Sequence, residues 1–118
     1  MFILMALNQG SEVDQRILNS FGLSFKPMVG MYKGQREDSY KVYVNNIADI
    51  SLVHTLAKAY SQESVLHVDN LKNAQLYFIA SKEILDLGKF IEVSEYEATN
   101  EDAFTYDTEL NKYFICKK

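Results

Sequence analysis

The side chains most suited to chemistry in this 118-residue sequence lie in one polar stretch between two apolar segments. The stretch runs from Tyr32 to Ser39 within GMYKGQREDSYKVYV and includes a phenol, a hydroxyl, cations and carboxylates. If the flanking segments pair as a hairpin, Tyr32, Glu37, Asp38 and Ser39 gather at its tip or along one rim. A carboxylate and a phenol there can hold an ammonium or sulfonium group. Taken alone, the stretch is better explained as a solvated loop whose cations balance its acids.

A second polar group lies in SQESVLHVDN, where Gln62, Glu63 and Ser64 join the end of a predicted helix to a predicted strand. Polar side chains in such a position often line a pocket, although these residues alone need do no more than end the helix. His67, inside the strand, is better explained as a packed core histidine than as a ligand or base. The acidic segment 94–102 lacks the ligand spacing of a calcium loop and is read as solvated.

Apolar periodicity and turn residues predict the elements that must position these side chains. A capping pattern at Ser11, the spacing of Val13, Ile17 and Phe21, and the stop at Gly22 predict the first helix. The predicted helices span 11–21 and 50–60, with a short helical turn over 81–87, and the predicted strands span 2–7, 28–33, 39–44, 64–69, 74–80, 89–93, 103–106 and 112–116.

This order of elements predicts one α+β domain over residues 1–118. Its β-α-β-β-α-β beginning favours a ferredoxin-like sandwich, with two helices packed on a mostly antiparallel sheet. The alternation of Tyr40, Val42 and Val44 with Ser39, Lys41 and Tyr43 predicts that one face of that strand is buried. Sheet edges that need covering, together with plentiful tyrosines, favour a homo-oligomer.

Composition excludes several classes of protein. The net charge of −4 and the scattered Lys and Arg argue against nucleic-acid binding. No apolar run approaches the roughly 18 residues of a membrane span, and the opening MFILMAL is read as a buried strand, not a signal peptide. The single Cys116 rules out an internal disulfide and fits a reducing cytoplasm, and two histidines give little support for a metal site. Phosphate loops and hydrolase motifs are absent.

Considered together, the motifs resemble a known family. In order, they are GMYKGQREDSY, a helix ending in LAKAY, QESVLHVD, LGKFIEV and an AFTYD hairpin. From about residue 27 to the C-terminus, the chain resembles the bacteriophage S-adenosylmethionine lyases, formerly described as S-adenosylmethionine hydrolases. The resemblance depends on the order and spacing of short motifs, because none of them is specific alone.

The resemblance implies a homotrimer in the host cytoplasm that binds S-adenosylmethionine at subunit interfaces and needs no metal or other cofactor. The substrate's own carboxylate would displace the thioether, giving 5′-methylthioadenosine and homoserine lactone and countering host restriction–modification. The alternative is a non-catalytic phage protein of the same fold that binds a nucleotide-like ligand or inhibits a host enzyme.

Carried over by motif, Glu37 and Tyr32 are the catalytic candidates. Glu37 would hold the substrate's ammonium, and Tyr32 would lie near the reacting centre. The remaining candidates would bind substrate, and they are Ser39, Asp38, Gln62, Glu63 and Ser64. The spacing after Tyr32 carries one residue more than the family pattern, so the choice between Glu37 and Asp38 as the key carboxylate stays open.

Overall fold

A computed structural model describes all residues from 1 to 118. It contains eight strands and three helices, which follow one another along the chain in the order β-α-β-β-α-β-β-β-α-β-β. The elements are β1 (Phe2–Met5), α1 (Ser11–Ser20), β2 (Ser24–Tyr32), β3 (Gln35–Tyr43), α2 (Ile47–Ala59), β4 (Ser64–Val68), β5 (Asn73–Phe78), β6 (Ile84–Val93), α3 (Glu95–Thr99), β7 (Ala103–Asp107) and β8 (Lys112–Lys117).

The strands form a closed antiparallel barrel in the order β1-β3-β2-β7-β8-β6-β5-β4, with β4 pairing back to β1. The predicted ferredoxin-like α+β sandwich is therefore wrong. The barrel closes because β7 returns to β2, where Ala103–Tyr106 pairs with Val29–Tyr32. In a closed barrel every strand has two neighbours, so there are no unpaired edge strands of the kind that a sandwich would have to cover.

Residues of β1 alternate between two apolar cores, because successive strand residues face opposite sides of a sheet. Ile3 and Met5 point outwards and pack beneath α1 and α2 with Leu18 and Val53. Phe2 and Leu4 point into the barrel. Their interior cluster also contains Met28, Val68, Ala74 and Phe90.

Only part of the apolar spacing that predicts the first helix is buried, and Ile17 is the member of it that packs against the core. Val13 and Phe21 are largely exposed, whereas Asp14 and Leu18 are buried against the sheet. Asp14 accepts hydrogen bonds from the Gln9 backbone N–H (2.9 Å) and the Tyr40 hydroxyl (2.9 Å). The buried Asp14 carboxylate therefore attaches α1 to β3. The apolar stripe of α1 contributes less to this attachment than the sequence indicates.

The predicted helical turn over 81–87 is also wrong, because β6 begins at Ile84 and pairs with β5 there. Gly88, which resembled a helix stop, instead lies beside a register shift in this pairing. Its φ is +82°, and a Cβ there would lie 2.3 Å from the Lys117 carbonyl oxygen. The glycine of GKFIEV therefore allows the C-terminal strand to approach β6 closely.

The third helix, α3, lies in the segment that was read as a solvated acidic loop. Ser94 caps it by accepting a hydrogen bond from the Glu97 N–H, and Ala98 is buried. None of the three helices combines the length and apolar composition needed to cross a membrane.

Candidate functional site

The β2–β3 hairpin carries the first group of candidate residues. It turns through Lys33 (φ +49°) and Gly34 (φ +80°), and these two positive angles fit the tight turn that matches the twist of paired strands. Tyr32 pairs with Gln35 immediately beside the turn. The sequence predicts that the candidates gather at the tip or along one rim, and the tip is excluded for Glu37, Asp38 and Ser39 because all three lie within β3. We call the end of the barrel that carries this turn the hairpin end.

Strand alternation separates the two candidate carboxylates. Glu37 pairs with Gly30 and Ser39 with Met28, so Glu37 and Ser39 share the face that continues into the barrel interior. Asp38 lies between them and points to the opposite face. There its carboxylate lies 3.9 Å from a guanidinium nitrogen of Arg36.

The Glu37 carboxylate is exposed and forms no ion pair. Its one side-chain partner is Asn8, whose Nδ2 donates to Oε2 at 3.3 Å. The hairpin cations lie elsewhere, since Arg36 contacts Asp38 and the Lys33 ammonium lies 5.3 Å from the Tyr32 ring centre. The Glu37 carboxylate is therefore available to a cationic ligand.

Ser39 is the most enclosed of the candidates, with 9% of its surface exposed. Its hydroxyl donates to the Met5 carbonyl at 3.4 Å and so helps to join β3 to β1. A Cβ on Gly30 would lie 3.7 Å from the Ser39 Cβ, which confirms that the two residues share one face. The missing side chain at Gly30 leaves space beside Glu37.

The second group of candidates reaches the same end of the barrel. Ser64 is the first residue of β4, which pairs with β1 at Leu4–Leu66, while β3 pairs with the other edge of β1 at Met5–Tyr40. Extending both registers places Ser39 and Ser64 on either side of Ala6. Adjacent strands are about 4.8 Å apart, so the two serine Cα atoms lie roughly 10 Å from each other.

Gln62 and Glu63 contribute less to this surface. The Gln62 side chain donates to the Tyr60 carbonyl at 3.2 Å, and its backbone N–H donates to Ala57, so it ends α2. The Glu63 carbonyl accepts from the Ile79 N–H, and its carboxylate is exposed without an ion pair.

Asn8 is a residue of this surface that the sequence did not identify. It adopts a left-handed conformation (φ +59°) just after β1, which directs the chain towards α1. The signal in the sequence is Asn-Gln-Gly, which directly follows the predicted strand over 2–7. Asn8 and Glu37 are 29 positions apart in the sequence, so their contact can be recognised only once β1 and β3 are known to pair.

Other reactive side chains lie away from the hairpin end. Burial raises the pKa of the Cys116 thiol to about 11, so the thiolate is scarce near neutral pH. The His54 and His67 imidazoles hydrogen-bond to each other (Nε2 to Nε2, 2.8 Å) between α2 and β4. No three His, Cys, Asp or Glu side chains form a group that could hold a metal ion.

Two surface concavities lie elsewhere, one along α1 and one beside His67. The hairpin end exposes Tyr32 and Glu37 in the single chain. It presents a free carboxylate, a tyrosine that is 59% exposed and small neighbouring residues, a combination that suits a cationic ligand of moderate size.

The chain matches a known protein family over most of its length. Residues 7–117 match the model of a family described as the S-Adenosylmethionine lyase family. The match covers nearly the whole chain, including both groups of candidate residues. No curated protein matches the chain.

Proposed function

Because the chain belongs to the S-adenosylmethionine lyase family, we propose that it cleaves S-adenosylmethionine to 5′-methylthioadenosine and homoserine lactone. The observation that carries this proposal is the exposed Glu37 carboxylate, which has no cationic partner and borders the space left by Gly30. The substrate carries two cationic groups, an ammonium and a sulfonium. A free carboxylate at the site complements either charge.

The reaction is an intramolecular displacement. One oxygen of the substrate's carboxylate attacks its own γ-carbon, and the bond from that carbon to sulfur breaks. The bonding electron pair passes to sulfur, which leaves as a neutral thioether, so no proton has to move. The protein's task is to fold the substrate into the attack geometry, an effect of about 7–11 kcal/mol in favourable cases.

Glu37 would hold the substrate's ammonium and so direct the adjoining carboxylate away from itself and towards the γ-carbon. Tyr32, on the same face at the end of β2, would place its ring against the sulfonium in place of the Lys33 ammonium, an arrangement that aromatic rings favour. Ser39 acts as a positioning residue, since its hydroxyl is already bonded to β1. Ser64 would contact the substrate from the other side of β1.

Asp38, Gln62 and Glu63 have weaker claims as substrate-binding residues. Asp38 faces away from Glu37 and lies beside Arg36. Gln62 is occupied at the end of α2. Glu63 remains a candidate because its exposed carboxylate could contact a substrate held against a neighbouring subunit.

We propose that the active form is a homotrimer whose subunits cover one another's hairpin ends. Lactone formation requires that water be kept from competing at the γ-carbon, yet Tyr32 and Glu37 are exposed in the single chain. A second copy against this surface would exclude water. In a bacteriophage host, the activity would deplete the methyl donor that restriction–modification systems use.

The direct experiment is to incubate the purified protein with S-adenosylmethionine and follow both products by chromatography. We expect methylthioadenosine and homoserine lactone in equal amounts. Homoserine as the first product would indicate attack by water and overturn the intramolecular step. Tight binding of intact substrate without turnover would instead support a non-catalytic protein of the same fold.

A further inference from the structure

The end of the barrel opposite the hairpin carries a group of lysines that the proposed reaction does not use. Lys26 and Lys41 are paired neighbours on β2 and β3, on the face that points into the barrel. Lys72 reaches the same place from the β4–β5 turn. The Lys41 and Lys72 ammoniums lie 4.4 Å and 5.7 Å from the centre of the Phe2 ring. We call these three lysines the basic end.

An aromatic layer closes the barrel beneath the basic end. The Phe2 ring packs edge-on against Phe90 at 5.5 Å, and Phe90 stacks on Phe114 at 5.0 Å. The lysine stems therefore rest on apolar surface with their ammoniums at its rim. This partial loss of water strengthens any charge interaction made there.

The carboxylates at this end pair with other lysines and not with Lys41 or Lys72. Asp107 is buried and pairs with Lys26 at 2.6 Å, and Glu92 pairs with Lys112 at 3.4 Å. Lys41 and Lys72 form no ion pair or side-chain hydrogen bond and have only the aromatic contacts. The Glu109 carboxylate also lies 4.0 Å from the Lys26 ammonium, so Lys26 has two acidic partners whereas Lys41 and Lys72 have none.

The two unpaired ammoniums both lie over one ring, that of Phe2. Their distances to a shared ring centre sum to 10.1 Å (4.4 plus 5.7), which is the largest separation the two nitrogens can have. Partial burial, with the neighbouring Lys72 and Lys26, lowers the pKa of Lys41 from its usual range, and these effects outweigh the attraction of Asp107.

We propose that the basic end binds a small oxyanion, a phosphate or carboxylate group, between Lys41 and Lys72. A doubly charged phosphate matches the two unpaired charges better than a single carboxylate. Lys26 would contribute less, because Asp107 already neutralises it. The site lies at the far end of the barrel from Glu37 and does not depend on the proposed lyase activity.

Calorimetric titration of the full chain with sodium phosphate and with sodium acetate, each at constant ionic strength set by sodium chloride, tests the proposal. We expect saturable binding that weakens about tenfold or more in Lys41→Gln and Lys72→Gln, because each variant removes one charge-assisted contact. Lys58→Gln is the matched control, since Lys58 is an exposed lysine on α2 and should leave binding unchanged.

Tighter phosphate than acetate binding would identify a phosphate-type site, and equal binding a carboxylate-type site. If Lys41→Gln fails to fold, anion binding by Lys72→Gln tests the proposal on its own, because Lys72 is an exposed turn residue. The proposal is overturned if neither anion binds the wild type, or if the folded lysine variants bind as the wild type does.

Discussion

At the scale of single residues, the proposed function depends on which face of β3 each side chain occupies. Glu37 and Asp38 are chemically similar neighbours, but only Glu37 shares a face with Ser39 and the space beside Gly30. Asp38 is turned towards a guanidinium that would compete with a cationic substrate. A difference of one position therefore separates a carboxylate that can receive a ligand from one that is already beside a cation.

The alternation of side chains between the two faces of β3 is visible in the sequence, and β3 extends further towards the N-terminus than the predicted strand over 39–44. The predicted burial of Tyr40, Val42 and Val44 is confirmed, with exposures of 1%, 0% and 3%. Continuing the same alternation back to residue 37 groups Glu37 with Ser39. The sequence predicts a strand start at 39, whereas β3 begins at Gln35 and includes the charged residues that precede Ser39.

Gly88 gives a residue-scale prediction about stability. Gly88→Ala should lower the free energy of unfolding by about 2 kcal/mol or more, because the added Cβ collides with the backbone of Lys117 and the φ is unfavourable. Urea unfolding measures the effect. Gly22→Ala is the control, since Gly22 has a similar φ of +71° and nothing within 4 Å of the added Cβ. Equal losses of unfolding free energy in the two variants would mean that the close approach of the Lys117 backbone to Gly88 contributes nothing to the effect.

At the scale of elements, the two long helices are each held to the sheet by one polar contact within an apolar cluster. Asp14 on α1 contacts Tyr40 on β3, and His54 on α2 contacts His67 on β4. The sequence predicted both helices from their periodicity. It did not predict these contacts, because each joins residues whose proximity depends on strand pairing.

The α1 contact predicts that Tyr40→Phe lowers the free energy of unfolding by about 1–3 kcal/mol, since the variant leaves one oxygen of a buried carboxylate unsatisfied. Burial, together with the bond to Asp14, raises the pKa of Tyr40 to about 12, so the hydroxyl remains a donor at all moderate pH values. Tyr43→Phe, at an exposed position on the same strand, should change stability by less than about 0.5 kcal/mol. Similar losses in both variants would contradict a specific role for the Asp14–Tyr40 bond.

The α2 contact predicts a loss of stability in mild acid. Burial, with a smaller effect of His54, lowers the pKa of His67 to about 4, and burial also lowers that of His54 from 6.5. A histidine with a lowered folded pKa stabilises the fold above its unfolded pKa, and this stability is lost as the pH falls towards the folded value. Between pH 7 and pH 5 we expect a loss of about 1–2 kcal/mol.

Urea unfolding at the two pH values measures this loss. The matched control is a double variant, His54→Phe with His67→Phe, which keeps the aromatic packing beside Tyr77 and removes both titrating groups. Its stability should change less than that of the wild type over the same range. An equal change would assign the acid sensitivity to other groups.

At the scale of the whole molecule, a closed barrel creates two ends with opposite chemistry. The hairpin end offers a free carboxylate, and the basic end offers two free ammoniums. Local patterns predicted most of the strands, because hydrophobic alternation and turn residues are short-range signals. Closure was not predicted, since it depends on β7 pairing with β2 about 70 residues earlier, and no local pattern encodes that pairing.

Assembly gives a whole-molecule prediction. If subunits cover one another's hairpin ends, sedimentation should give about three times the 13.6 kDa chain mass, and activity per subunit should fall on dilution as trimers dissociate. A monomeric protein with full activity at every concentration would contradict the shared site. It would leave the role of Glu37 untouched, because that role is argued from one chain.

The most direct test of the account compares the rate of methylthioadenosine formation by Glu37→Gln and Asp38→Asn, each shown to fold and assemble like the wild type. Both changes remove one carboxylate charge from adjacent positions of β3, so they differ chiefly in the face they alter. We expect kcat/KM to fall about a hundredfold or more in Glu37→Gln, a loss of roughly 2.7 kcal/mol in transition-state stabilisation, and to stay within about threefold in Asp38→Asn. A Glu37→Gln variant with wild-type activity, or a greater loss in Asp38→Asn, would contradict the account.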